Sequence, residues 1–506
     1  MATQAEKLAK SLEALTRLRD EGRLAIRSRD LTRTHRERLL GSGFLQEVMK
    51  GWYIQSRPEQ AGGDSTGWYV SYWGFCADYL RERFGDDWCL SPEQSLLLHA
   101  GNHTVPGQLL VRSSRGDNNV VSLPHGTSLF TIRASIPRSP GVEVVSGLRA
   151  YSIPAALIAV SPGFFAKNEI EARAALTLIN NASEVLPVLL DKGHTTIAGR
   201  LAGAFENMGR PRIADDIVQT MRAAGHEVRK SDPFTNRPTI PLPTGSGPPH
   251  VHRLRLLWSG MRESAISCFP TAPTTPVDTA AYIKSAEEKF TTDAYHSLSI
   301  EGYQVSKELI ERVKSGRWSP DGDEEDVNQR NALAAKGYWQ AQQLVKKSLM
   351  RVLNGENPGV VAREDHGIWY REMFAPSVAA GLIRPSDLAG YRNEPVFISR
   401  SRHVPPGSAA VGALMKAFFE LLEAEDNPAA RVVLGHFVFV FIHPYMDGNG
   451  RISRFLMNVM MAAGGYPWAV IPVERRDDYM SSLEKASVAG DILPFARFLA
   501  GFIRTE

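Results

Sequence analysis

His443-Pro444-Tyr445-Met446-Asp447-Gly448-Asn449-Gly450-Arg451 is the stretch whose reading decides the rest of the chain. On either side, Ala429 to Phe441 and Ile452 to Ala462 place apolar residues at i, i+3 and i+4, so a short connection joins two core-facing helices. Asp447-Gly448-Asn449-Gly450 is turn-forming, and its glycines reach backbone geometries closed to bulky residues. The turn opens directly into the second helix near Arg451. A helix start offers free N–H groups and the positive end of a dipole, which together attract anions. Arg451 and Arg454, three residues apart, add fork-shaped donors suited to phosphate oxygens. Asp447 is placed to hold a divalent cation bridging phosphates. His443, at the other end, has an ordinary pKa suited to proton abstraction near neutrality. Base, carboxylate, anion nest and paired arginines form a phosphoryl-transfer set.

Blander readings account for less. An Asp-Gly-Asn-Gly turn between helices needs neither His443 nor the two arginines. A calcium-binding loop would require Asp or Asn at 451 and Glu at 458, where this chain has Arg451 and Asn458. No G-x-x-x-x-G-K-[ST] occurs, which removes a P-loop route to nucleotide. The 506 residues suggest about three compact units. With 58 basic against 55 acidic residues, the chain is too balanced to be a nucleic-acid coat throughout. Cys76, Cys89 and Cys268 make no C-x-x-C pair, so neither a disulfide framework nor a zinc site is expected, and a cytoplasmic setting fits. Met1 to Leu15 lacks the apolar core of a signal peptide. Val432 to Ile442 is too short for a membrane span, so no membrane partner is expected.

The order of elements suggests a multidomain chain. Residues 1–90 open with a polar helix, continue with a short helix pair over Ser28 to Leu40, and form a hairpin around Lys50-Gly51 between Phe44 and Ile54. That is the order of a winged helix. Residues 91–232 read as an α+β unit, with strands at Leu109 to Arg112, Val120 to Leu123, Leu129 to Arg133 and Val142 to Val145, and helices from Ser152 onward. Residues 233–277 are a Pro-rich linker. Residues 278–506 read as an all-α core, interrupted by one strand-like segment from Pro395 to Arg400.

The 443–454 stretch resembles the Fic (fido) family motif: a His, an aromatic, an acid, Gly-Asn-Gly-Arg, and a second Arg three residues on. Positions 443, 447, 448, 449, 450, 451 and 454 match. Tyr445 departs from the usual Phe and should leave the aromatic anchor intact. The resemblance covers roughly 280–506 and implies a protein adenylyltransferase with ATP as co-substrate and Mg²⁺ as cofactor. It makes His443, Arg451 and Arg454 catalytic. Asp447 would bind the metal, and Gly448, Asn449, Gly450, Arg451, Arg454 and Tyr479 the nucleotide. Val396, Phe397, Ile398, Ser399 and Arg400 resemble the family's β-hairpin flap, which docks a target protein by strand addition. Ser297-Leu298-Ser299-Ile300-Glu301-Gly302, closing a helix expected at 285–302, matches the family's inhibitory pattern. Glu301 would then pair with Arg454 and withhold it from the γ-phosphate.

Residues 23–50 carry seven Arg or Lys against three acids, and a basic helix at Leu31 to Leu40 is compatible with DNA as a partner. This N-terminal region loosely resembles the winged-helix antitoxin regulators of abortive-infection systems. Two other functions stay open at this point. One is a Fic transferase moving UMP or phosphocholine, and the other is a DNA-binding regulator whose Fic core only binds partners.

Overall fold

The computed structural model describes residues 3–503, apart from 57, 59–64, 192, 235–246, 274–277 and 319–325. Helices dominate, and their starts follow side-chain chemistry. Thr3, Thr32, Ser91, Asp278, Ser306, Asn357 and Asn427 each cap a helix by accepting an early backbone N–H. Two compact units result, one of Met1–Arg253 with Phe397–Val404, the other of Leu254–Val396 with Pro405–Glu506. Among the described residues no helix is long and apolar enough to cross a membrane.

In the first unit, the hairpin Leu45–Met49 and Trp52–Gln55 turns at Lys50-Gly51, as the alternation implied, and Ile26–Arg27 adds a third antiparallel strand. The expected helix pair over Ser28 to Leu40 is instead one helix, Arg33–Gly41. Asp30 closes a local turn by accepting the Arg27 N–H at 2.8 Å. Thr32, which accepts the His35 N–H at 3.3 Å, then takes the N-cap. Gln108–Ser113 pairs in parallel with Ser128–Arg133 in a four-stranded sheet, with helices following from Ile153. The boundary expected at residue 90 does not separate two cores. Trp68, Phe75 and Leu80 share a cluster with Leu109, Leu129 and Leu148, and Trp68 Nε1 donates to Thr127 Oγ1 at 3.0 Å.

Residues 235–246 and 274–277 of the expected linker lie outside the described residues, but Pro249–Cys268 between them is a helix. From Leu254 onward it belongs to the second unit. There Glu425 accepts from Trp258 Nε1 at 3.3 Å and from Arg262 Nε and Nη2 at 2.9 Å each. The other elements needed here are α1 (Thr279–Ile300), α2 (Asp326–Leu353), α3 (Pro358–Ala379), α4 (Ser408–Ala424), α5 (Pro428–Ile442), α6 (Asn449–Ala463) and α7 (Arg476–Ala489). α5 is apolar and buried on nearly every side, which explains its unbroken run of Val, Phe and Leu. The buried set on α6 includes Ile452, Phe455, Leu456, Val459 and Met460.

Pro395 to Arg400 is not a strand; among the described residues none is assigned there. Pro395, Pro405 and Pro406 offer no ladder donors. Arg400 turns the chain at φ 60°, and Ser401 N–H is spent locally on Ile398 O at 3.1 Å. Phe397–Val404 belongs to the first unit. There Val105 N–H donates to Arg402 O at 2.9 Å, and Arg400 N–H donates to Thr66 Oγ1 at 3.0 Å.

Candidate active site

α5 ends at His443, whose backbone is left-handed (φ 54°, ψ 61°) while its N–H still reaches Phe439 O at 3.0 Å. This reverses the chain within six residues. Tyr445 lies flat on Tyr370, ring centroids 3.8 Å apart and 5° from parallel, so the aromatic anchor survives its extra hydroxyl. Gly448 then opens α6 at φ 80°. A Cβ there would also lie 2.7 Å from the Phe374 ring, so both conformation and space demand glycine.

Asn449 takes a role that its place in the motif did not suggest. Its Oδ1 accepts the Tyr445 N–H at 2.9 Å and its Nδ2 donates to Tyr445 O at 2.8 Å. The buried amide thus clasps the loop shut. Asp447 caps the turn by accepting Gly448 N–H at 2.6 Å and an Arg451 Nη2 hydrogen at 3.1 Å, while its side chain stays 61% exposed.

The two arginines are buried. Arg451 lies between the Tyr303 ring, 5.2 Å away, and the Phe374 ring, 5.0 Å away. Arg454 Nε donates to Ser297 Oγ at 2.8 Å, and Nη2 donates to Ser297 O at 3.0 Å and Glu301 Oε1 at 2.7 Å. Arg451 Nε and Arg454 Nη1 are buried with no acceptor among the described residues. Unmet donors on buried cations are costly, so this is a site with unspent affinity for an anion.

The Ser297 to Gly302 segment is both an ordinary helix end and a directed one. Gly302 (φ 88°) donates to Ser299 O at 3.0 Å and Tyr303 N–H to Leu298 O at 3.1 Å, the Schellman pattern. That cap turns Glu301 over the start of α6. A Cβ on Gly450 would lie 2.3 Å from Glu301 Oε1, so a glycine at 450 is what lets the carboxylate sit there. Beside it opens a cleft of about 640 Å³, lined by Glu301, Gly302, Tyr303, Gln304, Arg330, Asn331 and Asp447.

His443 Nδ1 donates to Val440 O at 3.2 Å, which leaves Nε2 as the free acceptor. Burial pushes the ring down to about 4, against smaller upward pulls from Val440 O, Glu301 and Asp447; Arg392 pushes the same way as burial. The ring is therefore neutral at physiological pH.

Tyr479 is placed otherwise than expected. It is buried on α7, and its hydroxyl donates to His436 Nε2 at 2.7 Å. His436 Nδ1 in turn donates to Ser453 O at 3.0 Å. The pair braces α6 beneath Arg454 and presents no ring to the cleft. Sequence reading missed Tyr303, Phe374 and His436; only the Phe and His identities within helices hinted at the last two, and Tyr303 lies in the loop after α1. Among the described residues no cluster of three or more His, Cys, Asp or Glu could hold a metal by itself.

Residues 367–461 match the sequence model of the Fic/DOC family, so this part of the chain carries a Fic/DOC domain. The chain is similar to protein adenylyltransferase Fic of Drosophila grimshawi, 31% identical over 225 residues, which are 44% of this chain and 43% of that protein. It is also similar to protein adenylyltransferase Fic of Drosophila virilis, 30% identical over 225 residues, 44% of this chain and 42% of that one. The chain thus spans less than half the length of these curated relatives. Among solved structures it is similar to Fic-1 (aa134–508) from C. elegans, with 19% identity, 66% of this chain and 93% of that chain covered, and a TM-score of 0.37.

Proposed function

We propose that this chain transfers AMP from ATP to a hydroxyl side chain of a target protein, and that Glu301 holds the activity in check. The observation that carries the proposal is the convergence of His443, Asp447, Arg451 and Arg454 on one helix start, with buried arginine donors still unmet. His443 Nε2 takes the proton of a target Ser, Thr or Tyr. The hydroxyl oxygen bonds to the α-phosphorus as the bond to the β-phosphate oxygen breaks, and pyrophosphate leaves. The Asn449 and Gly450 amides at the start of α6, with Arg451 and Arg454, receive the charge that develops.

Mg²⁺ fits this donor set. Asp447 is a single, outward-facing hard oxygen ligand at the cleft, and Mg²⁺ is commonly held by one or two carboxylates plus substrate phosphates. When bound it neutralises phosphate charge. Val396 to Arg400 is proposed as the target-docking segment and the cytoplasm as the setting. Incubating the full chain and a lysate with α-³²P-ATP and, in parallel, γ-³²P-ATP tests the transferred group. Label from the α position alone is expected. Label from the γ position would make the protein a kinase, and arms with labelled UTP or CDP-choline detect UMP or phosphocholine transfer instead.

The pH dependence follows from His443. Below about pH 4 the imidazole is protonated and cannot act as base; above it the neutral ring is fully present. Initial rates of AMP incorporation should therefore be flat from pH 6 to 8 as far as this group is concerned, and fall only towards pH 4. A half-loss near pH 6.5 would mean a ring far more solvated than this one.

Within the first unit, we propose that residues 1–90 form a winged-helix-like segment with affinity for DNA. The observation favouring it is the strand hairpin beside the basic helix Arg33–Gly41. Part of that charge is spent internally: Arg33 pairs with Glu37 at 2.7 Å, and Arg36 donates to Ser28 O at 2.7 Å. Duplex binding by the full chain should weaken with salt and on changing Arg33 and Arg36 together to Ala. No mobility shift at low salt would leave the helix as a solvated or protein-facing surface.

A further inference from the structure

We infer that Arg392 is the positioning residue for His443: it fixes the main chain on which the base is mounted, independently of the nucleotide nest. The inference rests on the AMP-transfer reading above.

Arg392 is 4% exposed, and among the described residues no carboxylate is ion-paired with it. A buried cation without a counter-ion is expensive, and burial lowers its own pKa to about 10. Backbone oxygens solvate it instead. Nε donates to His443 O at 2.7 Å, Nη1 to Glu394 O at 3.1 Å, and Nη2 to Pro406 O and, at 3.4 Å, to Ile442 O. Its own N–H donates to Pro444 O at 2.9 Å. Ile442 and His443 supply carbonyls at the end of α5, where the helix has no further N–H to offer and its dipole is negative.

Left-handed backbone is uncommon for a residue other than glycine. At His443 it is what turns the imidazole out of the α5 line. The bonds from Arg392 to the carbonyls of 442, 443 and 444 determine the peptide planes on both sides of that residue. A planar fork spreads five donors over three nitrogens and reaches carbonyls on different sides, whereas an ammonium gathers its three donors on one atom.

The loop thus has two separate fastenings. Arg392 holds 442–444 on the α5 side, and the Asn449 clasp holds 445–449 on the α6 side. Loosening the first should leave the nest, and so ATP binding, in place. Misplacing the base by about 1 Å can cost on the order of 10²-fold in rate.

The test is made in this whole chain carrying Glu301→Gly. Arg392→Lys should lower kcat by about 10- to 100-fold while KM for ATP stays within about threefold. Arg392→Ala should behave alike and recover part of its kcat with guanidinium salt far below denaturing concentrations. A readout free of activity is the ¹⁵N spectrum of histidine-labelled protein, with the His443 ring assigned by its loss in His443→Ala. The Nδ1-protonated pattern set by Val440 O should be present in the parent and averaged in Arg392→Lys. Parental kcat with a parental ring spectrum in Arg392→Lys would overturn the inference. So would kcat and KM worsening together, or a folded Arg392→Ala that guanidinium does not restore. Should Glu301→Gly itself transfer no AMP, the transferase reading falls, and the ring spectrum alone still decides the role of Arg392.

Discussion

Replacing His443 by alanine is expected to lower AMP transfer by about 10²- to 10⁴-fold, the usual worth of a general base, while ATP still binds. The arginines and amides that meet phosphate lie on α6, secured by its own helical bonds and by the Asn449 clasp. None of them depends on the imidazole. His443→Ala also places alanine at φ 54°, which costs roughly 1–2 kcal/mol of backbone strain. His443→Asn is the cleaner variant, since Asn tolerates that conformation and supplies no base. Calorimetric ATP binding and α-³²P incorporation should therefore diverge in both variants. Incorporation within a few fold of the parent in His443→Asn would take the residue out of the mechanism.

Glu301→Gly is expected to raise transfer by about 10- to 100-fold. A charge-assisted hydrogen bond is worth about 1.5–3 kcal/mol, and about 1.4 kcal/mol corresponds to a decade in rate. The Glu301 side chain is 24% exposed and that of Arg454 nearly buried, with 2.7 Å between them. Solvent therefore screens the contact only partly. The substitution is local in effect. Residue 301 sits at φ −83°, and Gly302 with Tyr303 keeps the helix end closed. Ser297 retains two of the three bonds to Arg454, so the guanidinium stays aimed at the start of α6 with its outer donors released. Adding Arg454→Ala should cancel the gain. Equal rates for Glu301→Gly and the parent at saturating ATP with Mg²⁺ would reduce Ser297 to Gly302 to a helix cap.

Local pattern and tertiary setting differ at three other places. Pro395 to Arg400 has the β-branched and aromatic content of a strand, but prolines on either side remove ladder donors, and the 397–404 backbone bonds to Thr66 and Val105 of the first unit instead. Tyr479 stands in the right stretch of chain to meet a nucleotide, yet α7 turns it inward onto His436. Asn449 occupies a phosphate-binding position of the motif and spends its side chain on Tyr445. In each case a polar group had to find a partner, and the nearest one was protein.

Features settled within about one helical turn were legible in the chain itself. The N-caps at Asp278 and Asn427, the αL-capable Gly302 and Gly448, the turn at 447–450 and the spacing of Arg451 and Arg454 all act between residues up to five apart. Their outcome follows from backbone sterics and short-range hydrogen bonding. The Fic resemblance implied the pairing of Glu301 with Arg454, which the fold makes across 153 residues, but the fold alone brought Arg392 to His443 across 51. Those pairings depend on how the apolar faces of α1, α5 and α6 settle against one another, because packing, unlike capping, is a property of surfaces that no single segment contains.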